Sequence, residues 1–423
     1  MNTFALKGTI LYSETDTVLR TLEDGYLVVE DGLVANVSPT LPAKYQNVPV
    51  KDFTGKLIIP GMSDLHVHAS QHRYRASGMD LELLDWLETY TFAEEAKYKD
   101  VAYARENYLR FRDDILHSTT TRACIFATVH KDATLALMDI MEESGLVTYV
   151  GKLNMDRNCP DYLREPTAEY SLSETEKWLQ ETQGRYENTK PILTPRFIPS
   201  CTDETLKGLG DLRKKYGVAV QSHMSENLSE IQWVKELCPY ADFYGDAYDK
   251  NGLLRGETPC VMAHCVYSCE EEQQMMKEGN VFIAHSPESN CNVSSGVAPI
   301  SEYLKKGLKV GLASDVAGGS TVNLMRAMVI AIQSSKLRWR LLDQNVDALT
   351  FPQAFYLATR GGGEFFGKVG AFEEGYEADI VVLDDSNITP HSGISPEVRL
   401  ERAVYLGDDR HIAAKYVRGK QVL

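Results

Sequence analysis

The sequence predicts an α/β protein: a (β/α)8, TIM-like barrel carrying a small β-sandwich domain formed from both chain termini. Three observations predict it. The middle of the chain alternates short apolar runs with helix-like stretches, eight times over. Histidines and carboxylates follow nearly every one of those runs. The two ends carry short strand-like segments, too few at either end to make a stable sheet alone.

Taken in order, residues 4–12, 26–30 and 33–37 read as strands, and Glu30-Asp31-Gly32 between the last two is a hairpin signal. Residues 378–383 and 412–423 read the same way at the other end. Pooling the ends gives a composite domain of residues 1–60 and 370–423, beside a barrel of residues 61–369. The barrel strands are the runs at 57–65, 120–127, 147–153, 191–197, 217–222, 260–263, 281–284 and 308–313. Helix-like stretches at 100–117, 132–144, 173–185, 203–215, 226–237, 270–279 and 321–337 separate them. A doubly wound open sheet has the same alternation. The barrel is favoured because His66, His68, Asp156, Arg196, His223, His264, His285 and Asp315 all follow strand-like runs. In a barrel those strand ends converge on one mouth, whereas an open sheet spreads them along an edge.

Composition narrows the function classes. With a net charge of -16, the chain would be repelled by nucleic-acid backbones and anionic membranes. No stretch approaches the ~20 apolar residues of a membrane helix. The N-terminus lacks the basic and apolar regions of a signal peptide. Eight cysteines are scattered without a CxxC pair, which suits reduced thiols and a cytoplasmic protein.

His66-Val67-His68 closes an apolar run, and residues two apart on a strand share a face. Both imidazoles can therefore address one point. His223 ends Val218-Ala219-Val220-Gln221-Ser222, His264 ends Cys260-Val261-Met262-Ala263, and Asp315 ends Val310-Gly311-Leu312-Ala313-Ser314. Several histidines with one carboxylate and an open position for water suit a catalytic zinc or iron(II) site. The fourth strand, Ile192-Leu193-Thr194-Pro195-Arg196-Phe197, has no lysine to carboxylate and bridge two ions, so one metal per chain is expected, Zn2+ first and Fe2+ as the alternative. His285 reads equally well as a supporting group or a structural histidine, and His72, His117, His130, His391 and His411 as non-ligands. Glu226, three residues after His223, would share its face one turn away if the segment is helical. Its alternative is to satisfy free N–H groups at a helix start.

Certain segments are more specific. Pro60-Gly61-Met62-Ser63-Asp64-Leu65-His66-Val67-His68 resembles the amidohydrolase superfamily. Together with His223-Met224-Ser225-Glu226 and Ser294-Ser295-Gly296, the chain resembles its guanine deaminase family, most narrowly in His68-Ala69-Ser70-Gln71, Leu84-Asp85-Trp86-Leu87, Pro195-Arg196-Phe197 and Asp315-Val316-Ala317-Gly318-Gly319. That resemblance implies that His66, His68, His223 and Asp315 bind the metal. His264 would coordinate it or hydrogen-bond the attacking water. Gln71, Arg196 and Phe197, with His68 and Glu226 beside them, would hold guanine. Glu226, Asp315 and His264 would be the catalytic groups, with Glu226 shuttling the proton. The reaction would be hydrolysis of guanine at C2 to xanthine and ammonia, by a homodimer. Two departures stand in the loop after the seventh strand: Glu288, where a small or neutral residue is expected, and Asn292-Val293 before Ser294. Arg196 could instead be an ion-pair partner at the barrel mouth. Rival readings are an amidohydrolase acting on another nitrogen heterocycle, and an inactive scaffold, which would be expected to have lost ligands.

Overall fold

The computed structural model describes residues 3–388 and 393–423; His391, read as a non-ligand, lies outside them. Two sheets organise the chain. The first runs β16-β15-β14-β4-β1-β2-β3 and draws on both termini. Its members are β1 (Thr3–Ser13), β2 (Leu19–Glu30), β3 (Leu33–Ser38) and β4 (Val50–Pro60), with β14 (Ile380–Leu383), β15 (Ile412–Val417) and β16 (Lys420–Gln421). The β2–β3 connection is the two-residue turn Asp31-Gly32, with φ of 51° and 83°. Both central residues are left-handed, the geometry that matches the twist of the flanking strands.

The second sheet is the barrel. It runs through β5 (Met62–His68), β6 (Thr120–Phe126), β7 (Val147–Gly151), β9 (Thr189–Pro195), β10 (Ala219–Met224), β11 (Cys260–His264), β12 (Val281–His285) and β13 (Lys309–Leu312). The short β8 (Leu153–Asn154) pairs with β9. All the barrel pairings are parallel. Hydrogen bonds just beyond β13 join it to β5: Asp315 N–H donates to the His66 carbonyl at 2.9 Å, and His68 N–H to Val316 at 3.1 Å. An interior cluster of Leu65, Cys124, Ile192, Val261, Ala263, Phe282, Ala284 and Ala313 fills the barrel, with Phe365 packed against it. A larger apolar layer lies between the strands and the surrounding helices. The barrel is thus a packed scaffold, with chemistry left to its strand ends.

Several elements differ from the sequence reading. The run 57–65 is not one strand. Leu57–Pro60 pairs with β14 in the small sheet, while Met62 begins the barrel. Gly61 makes the switch where a Cβ would sit 2.3 Å from the Thr121 side chain. Residues 412–423 form a hairpin rather than one strand, because Arg418 and Gly419 turn at φ of 49° and 71°. The helix expected at 173–185 spans Ala168–Thr182, since the Thr167 hydroxyl caps it by accepting from Tyr170 N–H. Among the described residues, no helix is long and apolar enough to cross a membrane.

Candidate metal centre and active site

β5 carries a bulge where it matters. Asp64 pairs with Ala123 and Val67 with Ile125, so three steps on β5 match two on β6. Bulges re-aim side chains. Here Leu65 joins the barrel interior while Val67 joins the outer layer beside Ile125, and His66 and His68 are left facing the mouth. Asp64 anchors this segment. Its carboxylate accepts from Ser314 N–H at 3.0 Å, from the Ser314 hydroxyl at 2.5 Å and from His66 N–H at 3.2 Å. Strands β5 and β13 are thereby fixed against each other at the site.

Four imidazoles and one carboxylate converge. The His68 Nε2 atom lies 3.2 Å from His66 Nε2 and 3.3 Å from His223 Nε2. Asp315 Oδ1 is 3.1 Å from His66 Nε2 and 3.6 Å from His68 Nε2, and its Oδ2 is 3.7 Å from His264 Nε2. His66, His223 and His264 form one group with metal-binding spacing, and His66, His68 and Asp315 another. The outward ring atoms set the tautomers. Nδ1 of His223 lies 2.5 Å from the Arg196 carbonyl, an acceptor only, so Nδ1 carries the proton and Nε2 offers a lone pair. His264 Nδ1 makes the corresponding contact with Asn290 Oδ1 at 2.9 Å. Burial pushes His66, His68 and His223 below the ordinary imidazole range, which keeps them neutral. Lone pairs of neutral rings gathered this closely cannot satisfy one another as hydrogen bonds, and a divalent cation fits the set. Burial would raise Asp315, but the positive charge favoured on His264 lowers it, so it stays a carboxylate. Burial would likewise lower His264, yet Glu226 and Asp315 raise it.

Glu226 reaches the cluster by a route other than the one expected. His223 lies on a strand, not a helix, and the following helix begins only at Leu228. Ser225, at φ 49°, turns the chain so that Glu226 Oε2 lies 3.3 Å from His264 Nε2. The helix-start role belongs to Asn227 and Glu230, which form a capping box. The Ser295 hydroxyl donates to Glu226 Oε1 at 2.8 Å, and burial raises the carboxyl above its ordinary value. His264 and Asp315 also adopt left-handed backbone, at φ of 74° and 47°. Such non-glycine conformations cluster at functional sites, where surrounding structure holds them.

One cavity opens on these groups. Gln71, Arg196 and Phe197 line it together with His68, His223, Glu226, His264 and Asp315, and Leu83, Trp86, Leu87 and Val293 give it apolar walls. Arg196 is ion-paired with Glu95, a residue the sequence reading passed over. Asp156 does not join the site; it accepts from Thr202 N–H and from the Thr202 and Thr205 hydroxyls. His285, at the end of β12, is buried and held at about 3 by that burial, and its Nδ1 has no hydrogen-bond partner among the described residues. Glu288 accepts from Ser320 and from Arg326 Nε, joining the loops after β12 and β13.

The model of the amidohydrolase family matches residues 57–422. The chain belongs to that family. Within it, the likeness is to guanine deaminases. The Homo sapiens guanine deaminase is 37% identical over 443 residues, covering 99% of this chain and 96% of that protein. The Escherichia coli enzyme is 35% identical, covering 97% and 93%. The crystal structure of guanine deaminase from C. acetobutylicum with guanine bound in its active site is 47% identical and superposes with a TM-score of 0.97 over 100% of both chains.

Proposed function

We propose that this chain hydrolyses guanine at C2, giving xanthine and ammonia, with one divalent metal per chain held by His66, His68, His223 and Asp315, and zinc the preferred ion. The observation that carries this reading is the shared cavity. Candidate metal-ligating groups, a buried carboxyl at Glu226 and the side chains of Gln71, Arg196 and Phe197 all open on it. When bound, the ion supplies Lewis-acid activation, lowering the pKa of water from ~15.7 toward ~7.

The chain's own residues do the rest. Arg196, which offers only donors, suits the C6 carbonyl, Gln71 the mixed edge of the ring, and Phe197 packs on its face. Asp315 takes a proton from water as the oxygen bonds to C2. Glu226, whose burial favours its protonated form, delivers a proton to N3. His264, within reach of both carboxylates, orients the attacking water. The C2–N bond then breaks. The amine leaves as ammonia with the proton from Asp315, and the C2 hydroxyl returns its proton to Glu226, restoring both groups. A panel of guanine, adenine, cytosine and guanosine, with elemental analysis of the same protein, tests this. The expected result is turnover of guanine above all others with one metal per chain; preference for another base, or two metals per chain, contradicts it.

A further inference from the structure

Glu95 ends the short helix Phe92–Glu95 and is 1% exposed, yet it is not among the metal-ligating groups. Its two carboxylate oxygens face two different walls of the cavity. Oε1 accepts from Gln71 Nε2 at 2.9 Å, and Oε2 is ion-paired with Arg196. The other end of the Gln71 amide is also fixed, since Oε1 accepts from Ala317 N–H at 3.2 Å. A flipped amide would aim an NH2 at Ala317 N–H and a carbonyl at the Glu95 carboxylate, so one orientation survives. That leaves Gln71 a single N–H and a single lone pair to present. Arg196 is held on two sides. Glu95 takes one of its donors, and Phe92, one turn earlier on the same helix face, lies 5.3 Å below the guanidinium. Glu95 also neutralises the Arg196 charge, so the cavity wall that results is a fixed row of donors without net charge. A neutral base carrying a carbonyl oxygen suits that wall.

We propose that Glu95 is the positioning residue for base recognition: it clamps Gln71 and Arg196 in the one arrangement that reads a 6-oxopurine. The proposal rests on the reading of Arg196 and Gln71 as base contacts. Glu95→Gln keeps the volume but offers one acceptor oxygen to two donors, so the clamp loses one of its two contacts and Arg196 loses its charge partner. The guanine KM should rise about tenfold or more with kcat within about threefold, because an interaction common to ground and transition states is lost. Inhibition constants of two non-reacting bases isolate the effect. Hypoxanthine, which has the C6 carbonyl, should weaken by about tenfold, and purine, which lacks it, by less than about threefold, because only the first leaves a carbonyl unpaired. Glu95→Asp keeps the charge and should restore part of the hypoxanthine affinity. Equal weakening of both bases, or an unchanged guanine KM, overturns the clamp. If Glu95→Gln does not fold, the hypoxanthine-to-purine ratio of Glu95→Asp decides by the same criterion. A wild-type protein that leaves guanine unchanged strikes instead at the functional reading itself.

Discussion

Glu226 shows what a sequence can and cannot say about a single side chain. Its nearness to His223 was legible from spacing, but the expected helical step was not the cause. A strand end followed by a left-handed Ser225 delivers the carboxyl to His264. Replacing Glu226 with Gln preserves shape and the contact with Ser295 while removing the transferable proton. The variant should keep its metal and lose about 10²–10⁴-fold in kcat, the usual contribution of a general acid–base group. Single-turnover assays with elemental analysis check this; near-normal kcat would leave Glu226 a structural role only. The clustered histidines His66, His68, His223 and His264 were legible because they close apolar runs. Glu95 was not, because its site role depends on a contact with Arg196, 101 positions away in sequence. Arg196 was weighed as base contact or ion-pair partner. It is in fact ion-paired, and it also lines the cavity, so the two readings are not exclusive.

At the scale of elements, β6 and β15 tie the barrel to the small sheet. Arg122, on β6, is 1% exposed and grips Asp379 with Nε at 2.8 Å and a second nitrogen at 3.0 Å, while reaching Glu377 at 2.5 Å. Lys415, on β15, donates to the carbonyls of Ile115, Leu116 and Ser118 at the C-terminal end of the helix Val101–Leu116. Burial lowers the Lys415 ammonium to about 7, and the three carbonyls satisfy its donors inside the protein. Arg122→Met leaves the Asp379 carboxylate buried without its partner, which costs about 3–5 kcal/mol. Urea unfolding should register that loss with metal content unchanged; a change below about 1 kcal/mol, the value of an exposed pair, would contradict it. Strand positions in the barrel were legible because apolar runs there are short and bounded. The split of 57–65 between two sheets was not, because both halves are equally apolar and only the close approach of Gly61 to Thr121 separates them.

For the whole molecule, the order β14-β4-β1 means that the C-terminal strands build on N-terminal ones. Residues 1–60 and 370–423 are proposed to act as one folding unit beside the barrel. Deleting residues 1–50 removes β1, β2 and β3, and with them the cluster that Phe4, Leu6, Leu27 and Val29 form with Ile380, Val382 and Tyr416. Amide exchange in β14 and β15 should then accelerate toward the unprotected limit. Full protection of those strands in the truncated protein would contradict a shared unit. The barrel class itself was legible from strand count and from the placement of polar residues after the strands, since convergence at a mouth is a property of closed parallel sheets. Closure was not, because it rests on hydrogen bonds from Asp315 and His68 beyond the last strand.

In the proposed reaction, water activated beside His66, His68, His223, His264 and Asp315 replaces the amine of guanine at C2. The most direct test is to incubate the metal-loaded protein with guanine in oxygen-18 water, following the products by mass spectrometry and an ammonia assay. Xanthine carrying one heavy oxygen at C2 should form in equal amount with ammonia, and its formation should stop when the metal is chelated. Guanine recovered intact, or a product that keeps its C2 amine, would contradict it.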